Sequence, residues 1–337
     1  MNELNINSLS DFVLNAEILW NRGLMSVPQF ARKSSMVKEI PIPLNTGNTR
    51  KFSEIDLEEY ASRKGESDQA VRGRVQQGYS KEGTLYRVAK NIGISYEMRT
   101  QGKYLEIQQK LTNLGSMGPN RLDLDLTHRV TFGTATSYVD MDGVTVDIAV
   151  GDTFALYYTA HTVRGSSATF RNLLANNPQF SRGALEAMEL MRTENTINQF
   201  GEKMTIKDDI IFCGDDPNTN NTIDEVMRST TNPTQNNAGV INTYQGKYRK
   251  VVLPRLATDA LGQVDTTKRK YWGVASSVMS TFYLGVHEEA HMIAPAATGK
   301  NTEDPQTDDW DFGTRMGYMI VIPSASWTGL SKGDGTA

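Results

Sequence analysis

Apolar side chains recur at three- and four-residue spacing after Thr100, which is typical of an amphipathic helix. The residues that share this face are Tyr104, Leu105, Ile107, Leu111 and Leu114. The motif GSMGPN then interrupts the pattern, and Pro119 predicts a kink or the start of a second helix. Beyond it, Leu122, Leu126 and Val130 continue the stripe, although Leu122, Leu124 and Leu126 also alternate as in a strand. We favour a long helix broken near Pro119.

Two further helices are predicted from pattern and capping. The segment GALEAMELMRTENTINQFG is rich in good helix formers, and we expect its helix to end at Gly201. Near the N-terminus, Ser10 is a candidate N-cap for a short helix that ends near Gly23. That helix would carry Phe12, Val13, Ala16, Leu19 and Trp20. The following KEIPIPLNTGNT contains Pro41 and Pro43, which favour extended chain.

Residues 46–98 combine high charge with few large apolar side chains. The stretch RKGESDQAVRGRVQQGYSKEG is flanked by two strand candidates, RKFSEI before it and TLYRVAKNIGISYEM after it. This pattern predicts a long hairpin with a polar tip. Residues 46–98 hold nine basic and eight acidic side chains, so the hairpin is nearly balanced in charge. It is either a solvated loop or an arm that becomes ordered on another subunit, and its length favours the arm.

The remaining pattern predicts a mixed α+β half. YVDMDGVTVDIAVGD contains an Asp-Gly turn and alternating valines, so we expect a hairpin there. TFALYYTAHTV is a more continuous apolar run. Short strands are predicted at IIFCG, YRKVVLP, YWGVAS, FYLGV and GYMIVIP, with a short helix at NTIDEVMRS.

Composition narrows the class of protein. The chain has 337 residues, of which 38% are hydrophobic and 22% charged, as in folded soluble proteins. Its 35 basic and 39 acidic residues give a net charge of -4. Dedicated nucleic-acid binding is therefore disfavoured, because proteins that bind phosphate backbones usually carry a basic excess, and only a local basic face would allow it. The N-terminus lacks a signal-peptide pattern, and no apolar run approaches the roughly 18 residues of a membrane span. We expect a cytoplasmic protein with no membrane partner.

Cys213 is the single cysteine, which excludes an intrachain disulfide and a thiolate cluster for zinc. Because it ends a predicted strand, we interpret it as a buried structural thiol. His128 falls in the long predicted helix and His161 ends an apolar run, and neither has a partner that the sequence reveals. DDPNTNN resembles a calcium loop only in composition and is better explained as a turn before a helix.

The motif HEEAH matches the zinc-protease pattern, with His287 and His291 as ligands and Glu288 as general base. That chemistry requires a helix. Here the motif follows the strand-like FYLGV, and Pro295 closes the segment. We therefore expect a strand or turn and predict no catalytic, cofactor or metal site, with zinc proteolysis as an unfavoured alternative.

The order of parts, together with two groups of segments, resembles a known family. The segments are FALYYTAHTVRGSSATFRNLLANNPQFSRGALEAMELM and the pair GKYRKVVLPRL and TDDWDFGTRMGYMIVIPSASW. They resemble the major capsid proteins of tailed bacteriophages, which have the Hong Kong 97-type fold, and within them the Mu-like head-subunit branch. The resemblance covers about residue 40 to the end.

The resemblance implies a division of the chain into five parts. These are an N-terminal arm at 1–45, an extended loop at 46–98, a peripheral domain with a spine helix at 99–170, an axial domain at 171–279, and C-terminal strands at 280–337 that return to the peripheral domain.

The resemblance to phage capsid proteins also implies a function for the chain. The chain would assemble with itself into hexamers and pentamers of an icosahedral head that encloses double-stranded DNA non-specifically. Scaffold, portal or decoration proteins would be further partners, and assembly would take place in the host bacterial cytoplasm. An encapsulin-like shell is the alternative. The expected intersubunit contacts are Arg63, Lys64, Glu66, Asp68, Arg72, Arg74, Phe12 and Trp20.

Overall fold

The computed structural model describes residues 9–43, 47–57, 60–195, 197–198, 200–230, 241–295 and 308–335. Its helices are α1 (Leu9–Ser26), α2 (Tyr96–Thr100), α3 (Tyr104–Thr131), α4 (Arg182–Asn195) and α5 (Pro217–Arg228). Its strands are β1 (Val37–Pro41), β2 (Thr49–Leu57), β3 (Val75–Thr84), β4 (Tyr86–Ile94), β5 (Ser137–Val139), β6 (Thr145–Asp147), β7 (His161–Thr162), β8 (Thr169–Phe170), β9 (Ile210–Cys213), β10 (Arg249–Val252), β11 (Trp272–Ala275), β12 (Phe282–Ile293), β13 (Trp310–Val321) and β14 (Thr328–Ser331).

One four-stranded sheet supports the long helix. Its order is β1-β12-β13-β4, with β1 parallel to β12 and the other neighbours antiparallel. Helix α3 packs against this sheet through its apolar stripe, and Leu122, Leu126 and Val130 are all buried in one core with Met316 and Tyr318 of β13. The helical interpretation of this stripe is therefore confirmed.

A second four-stranded sheet, in the order β10-β9-β11-β14, forms the other centre of the fold. Helices α4 and α5 contribute buried apolar side chains to a core with β9 and β11, among them Leu185, Met188, Ile223, Ile211 and Trp272. The two sheets with their helices form an α+β architecture, as predicted.

Helix α3 is continuous, so the predicted break at Pro119 is wrong. Proline removes one backbone donor and crowds the preceding turn, which costs about 3 kcal/mol in an isolated helix. Here Gly118 and Pro119 are both buried within the helix, which packs on the sheet. Packing on the sheet therefore maintains the helix through the proline.

Helix α1 is longer than predicted, because Gly23 does not end it and Ser10 lies inside it. Gly23 lies where α1 crosses α3 at close range. A Cβ on Gly23 would lie 1.8 Å from the carbonyl oxygen of Thr112, and a Cβ on Gly115 would lie 2.0 Å from that of Trp20. The two glycines therefore let the backbones of α1 and α3 meet.

Other boundaries also differ from expectation. Helix α4 ends at Asn195, before Gly201. Helix α5 begins at Pro217, because the side chain of Asp216 caps it by accepting from the Thr219 N–H at 2.9 Å. Within TFALYYTAHTV only His161 and Thr162 form a strand. Over the ranges given above, none of the helices is both long and apolar enough to cross a bilayer.

Candidate functional site

A hairpin forms within residues 46–98, but its return strand is β3 and not the predicted TLYRVAKNIGISYEM, and β3 is bonded to the body of the molecule. Strands β2 and β3 pair antiparallel from Thr49 and Thr84 to Leu57 and Val75. Strand β3 lies within the segment predicted as polar tip, whereas the sequence predicted the return strand after residue 83. The segment TLYRVAKNIGISYEM forms β4 of the main sheet and α2.

Hydrogen bonds hold β3 against the turn between β7 and β8. The Gln76 side chain donates to the carbonyl of Arg164 at 3.1 Å, and the Arg164 guanidinium donates to the carbonyl of Gly78 at 3.0 Å. The Tyr79 hydroxyl lies 3.0 Å from that of Thr162. The base of the hairpin is therefore fixed to the subunit.

Residues 60–75, beyond this base, are all exposed. This segment, the hairpin tip, carries the six charged residues predicted as intersubunit contacts: Arg63, Lys64, Arg72, Arg74, Glu66 and Asp68. Four are basic and two acidic, so the tip has a net charge of +2. Arg74 lies over the ring of Phe200 at 5.3 Å. The structure thus places these charges together on one exposed segment, and their contact role stays a prediction.

Phe12 and Trp20 lie in a core within the same chain. Phe12 packs against Trp310 and Phe312 of β13 at centroid distances of 5.1 and 5.8 Å, and both Phe12 and Trp20 are buried. Their structural role is therefore to attach α1 to the rest of its own chain. The predicted contact between subunits through these two rings stays a prediction.

The opposite face of α1 is also apolar. Leu14, Ile18 and Met25 are 61%, 55% and 82% exposed. At 100° per residue these three positions lie on one side of the helix, roughly opposite Phe12 and Trp20. The predicted apolar face through Phe12 and Trp20 did not include this outer stripe, although the spacing of residues 14, 18 and 25 indicates it.

A cleft of about 500 Å³ lies between the β3–β4 connection and the β5–β6 hairpin, with α3 as its floor. Arg121 of α3 binds three carboxylates there: Asp125 at 3.0 Å, Asp140 at 2.8 Å and Asp142 at 2.9 Å. The DMDG turn, which the sequence predicted only as a turn, thus supplies two ligands to this guanidinium.

Asp125 is buried beneath this cluster and accepts hydrogen bonds from two tyrosine hydroxyls. Tyr318 donates to it at 2.7 Å and Tyr86 at 3.3 Å. Burial raises the pKa of Asp125, against the lowering effects of Arg121 and Tyr318. The cluster therefore joins α3, the sheet and the β5–β6 hairpin.

The HEEAH motif lies on strand β12, so its two histidines do not have the helical spacing of a zinc site. Glu288 accepts two hydrogen bonds from Arg315 of the adjacent β13, at 2.8 and 3.1 Å. This interaction with Arg315 lowers the pKa of Glu288. Among the residues with described positions, no three potential metal ligands cluster. The expectation of a strand is confirmed. The zinc-protease alternative requires a helix at this motif, and the motif forms a strand.

Cys213 is fully buried at the end of β9, as predicted. Burial raises the pKa of its thiol to about 12. The thiolate that nucleophilic chemistry requires is therefore scarce at neutral pH.

His128 is buried on α3, and its partner is Thr258. The Thr258 hydroxyl donates to the carbonyl of Arg255 at 2.6 Å, so His128 Nε2–H donates to the Thr258 oxygen at 3.0 Å. Burial, with the nearby charges of Lys268 and Arg129, lowers the pKa of His128 to about 4. The ring is neutral at pH 7.

This neutral ring predicts acid sensitivity. The folded-state pKa lies below the unfolded value, so the unfolded chain binds the extra proton and stability is lost as pH falls from about 6.5 to 4. We expect His128 to contribute about 3 kcal/mol of this loss. Urea unfolding of wild type and His128→Gln at pH 7 and pH 4 measures it. Equal pH dependence in the two proteins would contradict the prediction.

These features define a class of protein: an α+β fold with an anchored hairpin that has an exposed charged tip, and a helix that is apolar on two faces. Comparison with solved structures then identifies the fold. The capsid structure of the cyanophage P-SCSP1u matches with a TM-score of 0.50 and 12% identity, over 88% of this chain and 85% of that one. The chain has the Hong Kong 97-type fold of phage capsids.

Two other solved structures show weaker similarity. That of Microbacterium phage Oxtober96 has a TM-score of 0.48 at 11% identity, over 88% of each chain. The virus-like particle from Pyrococcus furiosus has a TM-score of 0.45 at 11% identity, over 94% of this chain and 97% of that one. No protein-family model matches the sequence. No curated protein matches it either.

Proposed function

We propose that this chain is the major capsid protein of a tailed bacteriophage, of the Mu-like branch. Copies of it assemble in the host cytoplasm into hexamers and pentamers, and these form the icosahedral head around double-stranded DNA. The proposal rests on one observation above all. On a capsid fold, residues 60–75 project as a charged segment in which every residue is exposed.

The hairpin tip supplies orientation more than binding energy. An exposed ion pair contributes about 0–1 kcal/mol, so six charged side chains cannot alone hold subunits together. Because its charges are mixed in sign, the tip selects a neighbouring surface with complementary charges. The base of the hairpin is hydrogen-bonded to the subunit, so the tip is presented in a defined direction.

Burial of apolar side chains supplies more of the binding energy between copies than the charges of the tip do. Leu14, Ile18 and Met25 form an exposed stripe on α1, and fully burying each such side chain stabilises by about 1.5–3 kcal/mol. A tip and a stripe that contact different surfaces of the neighbour make a head-to-tail interface. Such interfaces close into rings when the rotation between subunits permits.

The net charge of the chain also suits a protein shell that encloses DNA. The net charge of -4 gives no basic excess, so packaged DNA is enclosed without tight adhesion to the shell. The five domain boundaries and the partner proteins expected from the resemblance, such as scaffold, portal and decoration proteins, belong to this proposal.

The experiment is assembly of a tip deletion. Leu57 and Val75 are paired in register, so a short Gly/Ser linker can replace residues 60–73 while β3 stays intact. We expect a folded subunit with a melting temperature within about 2 °C of wild type, because the removed side chains are exposed. We expect wild type to form closed shells in negative-stain electron microscopy and the deletion to form none.

Normal shells from the deletion would contradict the role of the tip. A monomeric wild type at concentrations where capsid proteins assemble would contradict the function itself. The encapsulin-like alternative predicts shells that co-purify with a cargo protein instead of phage head components.

A further inference from the structure

The exposed side of α1 follows a heptad repeat. Leu14, Ile18, Asn21 and Met25 succeed one another at spacings of four, three and four residues along the helix. In the heptad abcdefg these are positions d, a, d and a, which form the seam between two helices of a coiled coil. Leu14, Ile18 and Met25 are all more than half exposed, so the seam is uncovered within the described part of the chain.

Opposite charges lie on the two sides of this seam. Glu17 occupies position g on one side and Arg22 occupies position e on the other, and both side chains are exposed. In a parallel pair of helices, position g of one helix faces the position e that lies five residues later in the other. Glu17 and Arg22 have this spacing, so a parallel pair of α1 helices would form two ion pairs, one on each side of the seam.

The same residues disfavour an antiparallel pair. In that arrangement each side of the seam faces the same side of the second copy, so Glu17 would lie near Glu17 and Arg22 near Arg22. Asn21 would pack against Ile18 of the second copy and leave its amide without a partner, which is costly on burial. In the parallel pair the two Asn21 amides meet and can bond each other, which fixes the register of such a seam.

Helix α1 is prepared for this contact by its own chain. Phe12, Ala16 and Trp20, on its inner side, are buried in a core with residues of α3 and β13. Short isolated helices are marginal in water, but α1 is already ordered, so pairing does not have to supply the free energy of helix formation. The seam is only four residues long, so a single contact is weak, and many copies in one shell strengthen it collectively.

We propose that the exposed face of α1 is a docking surface for α1 of a second copy, with the two helices packed in parallel about a two-fold axis. This inference rests on the proposed function and names the partner of the apolar stripe. A two-fold contact uses the same surface on both copies and joins them in pairs. It therefore links subunits of neighbouring rings, whereas the hairpin tip makes the head-to-tail contact within a ring.

Cysteine cross-linking tests the pairing and its direction. Cys213 is the only native cysteine and is buried, so an added exposed cysteine reports on its own position. A disulfide needs Cα atoms about 4.4–6.8 Å apart, which a parallel pair provides between equivalent seam residues. We expect Leu14→Cys and Met25→Cys, oxidised separately under assembly conditions, each to form a disulfide-linked dimer with itself.

A mixture of the two variants distinguishes the directions. Positions 14 and 25 lie about 16 Å apart along α1, so a parallel pair forms no disulfide between them. The control is Leu190→Cys in α4, where the leucine is 58% exposed. We expect about tenfold less dimer there, because no seam aligns the two copies.

Each other outcome contradicts a defined part of the proposal. Disulfides only between position 14 and position 25 would show an antiparallel pair, and equal yields at position 190 would show random collision; either result overturns the inference. If wild type forms shells but neither position cross-links to itself, another occupant covers the stripe, and only the inference fails. Self-cross-links in a protein that forms no shells would overturn the proposed function and leave the helix pair standing.

A charge exchange gives an independent readout. Glu17→Lys, added to Met25→Cys, would place like charges opposite each other on both sides of the seam. We expect self-cross-linking at low salt to slow about threefold to tenfold, since two exposed ion pairs become repulsive. Adding Arg22→Glu restores opposite charges, and we expect the rate to return to within about twofold of the parent. A rate that stays as low as with Glu17→Lys alone would overturn the parallel pairing.

Discussion

Replacing Asp208 with asparagine is expected to lower the free energy of unfolding by about 3–5 kcal/mol, because it leaves a buried guanidinium without its counter-charge. Arg192 of α4 donates two hydrogen bonds to the Asp208 carboxylate, at 2.9 and 3.2 Å, and both side chains are at least nine-tenths buried. Arg192 also donates to the carbonyl of Thr328 in β14 at 3.4 Å. The pair therefore links α4 to the second sheet.

Urea denaturation of Asp208→Asn and wild type measures this effect. Glu186→Gln is the matched control, since Glu186 pairs with Arg182 on the same helix at 3.1 Å but at the surface. We expect a loss of about 0.5 kcal/mol or less there. Similar losses in the two variants would show that burial does not determine the strength of these pairs.

The second large effect is expected at the crossing of α1 and α3. Gly115→Ala would place a methyl group 2.0 Å from the carbonyl oxygen of Trp20 and 3.0 Å from the Leu24 nitrogen. Both contacts are with backbone, which cannot rotate away as a side chain can. We expect α1 to shift from α3 and the free energy of unfolding to fall by about 3 kcal/mol, at the upper end of overpacking effects. Chemical denaturation measures the loss.

Gly183→Ala in α4 is the control for this substitution. A Cβ on Gly183 meets nothing within 4 Å. Alanine favours helix over glycine by up to about 1 kcal/mol, so we expect a small gain in stability. Opposite signs at the two glycines would establish that close approach, and not helix propensity, determines the effect. A gain at Gly115 would contradict the crossing geometry.

Periodicity was sufficient to predict the elements whose apolar pattern matches their environment. The stripe through Leu122, Leu126 and Val130 specifies α3 because each of these side chains enters one core. The hairpin was predicted from the change to high charge after Thr46, and the strand at Cys213 from its continuous apolar run. The site residues 63–74 were located as an exposed charged segment for the same reason: they have few apolar side chains to bury.

Local rules failed where distant contacts decide the outcome. Glycine and proline normally end helices. Here the role of Gly23 depends on Thr112, which lies more than 80 residues beyond α1 in the chain. The role of Pro119 depends on the sheet beneath α3. The strand β3 is polar, and its pairing with β2 and its bonds to Arg164 define it. No spacing in the sequence indicates that Asp140 and Asp142 converge on Arg121.

Strand β1 forms the outer edge of the main sheet, and its register has a consequence for how copies can associate. Ile42 N–H donates inward to the carbonyl of Val286, so Pro41 occupies an outward position and offers no N–H there. A foreign strand would thus meet a missing backbone donor at this edge. Open-ended stacking into fibrils is disfavoured at this border, which protects concentrated subunits from aggregation.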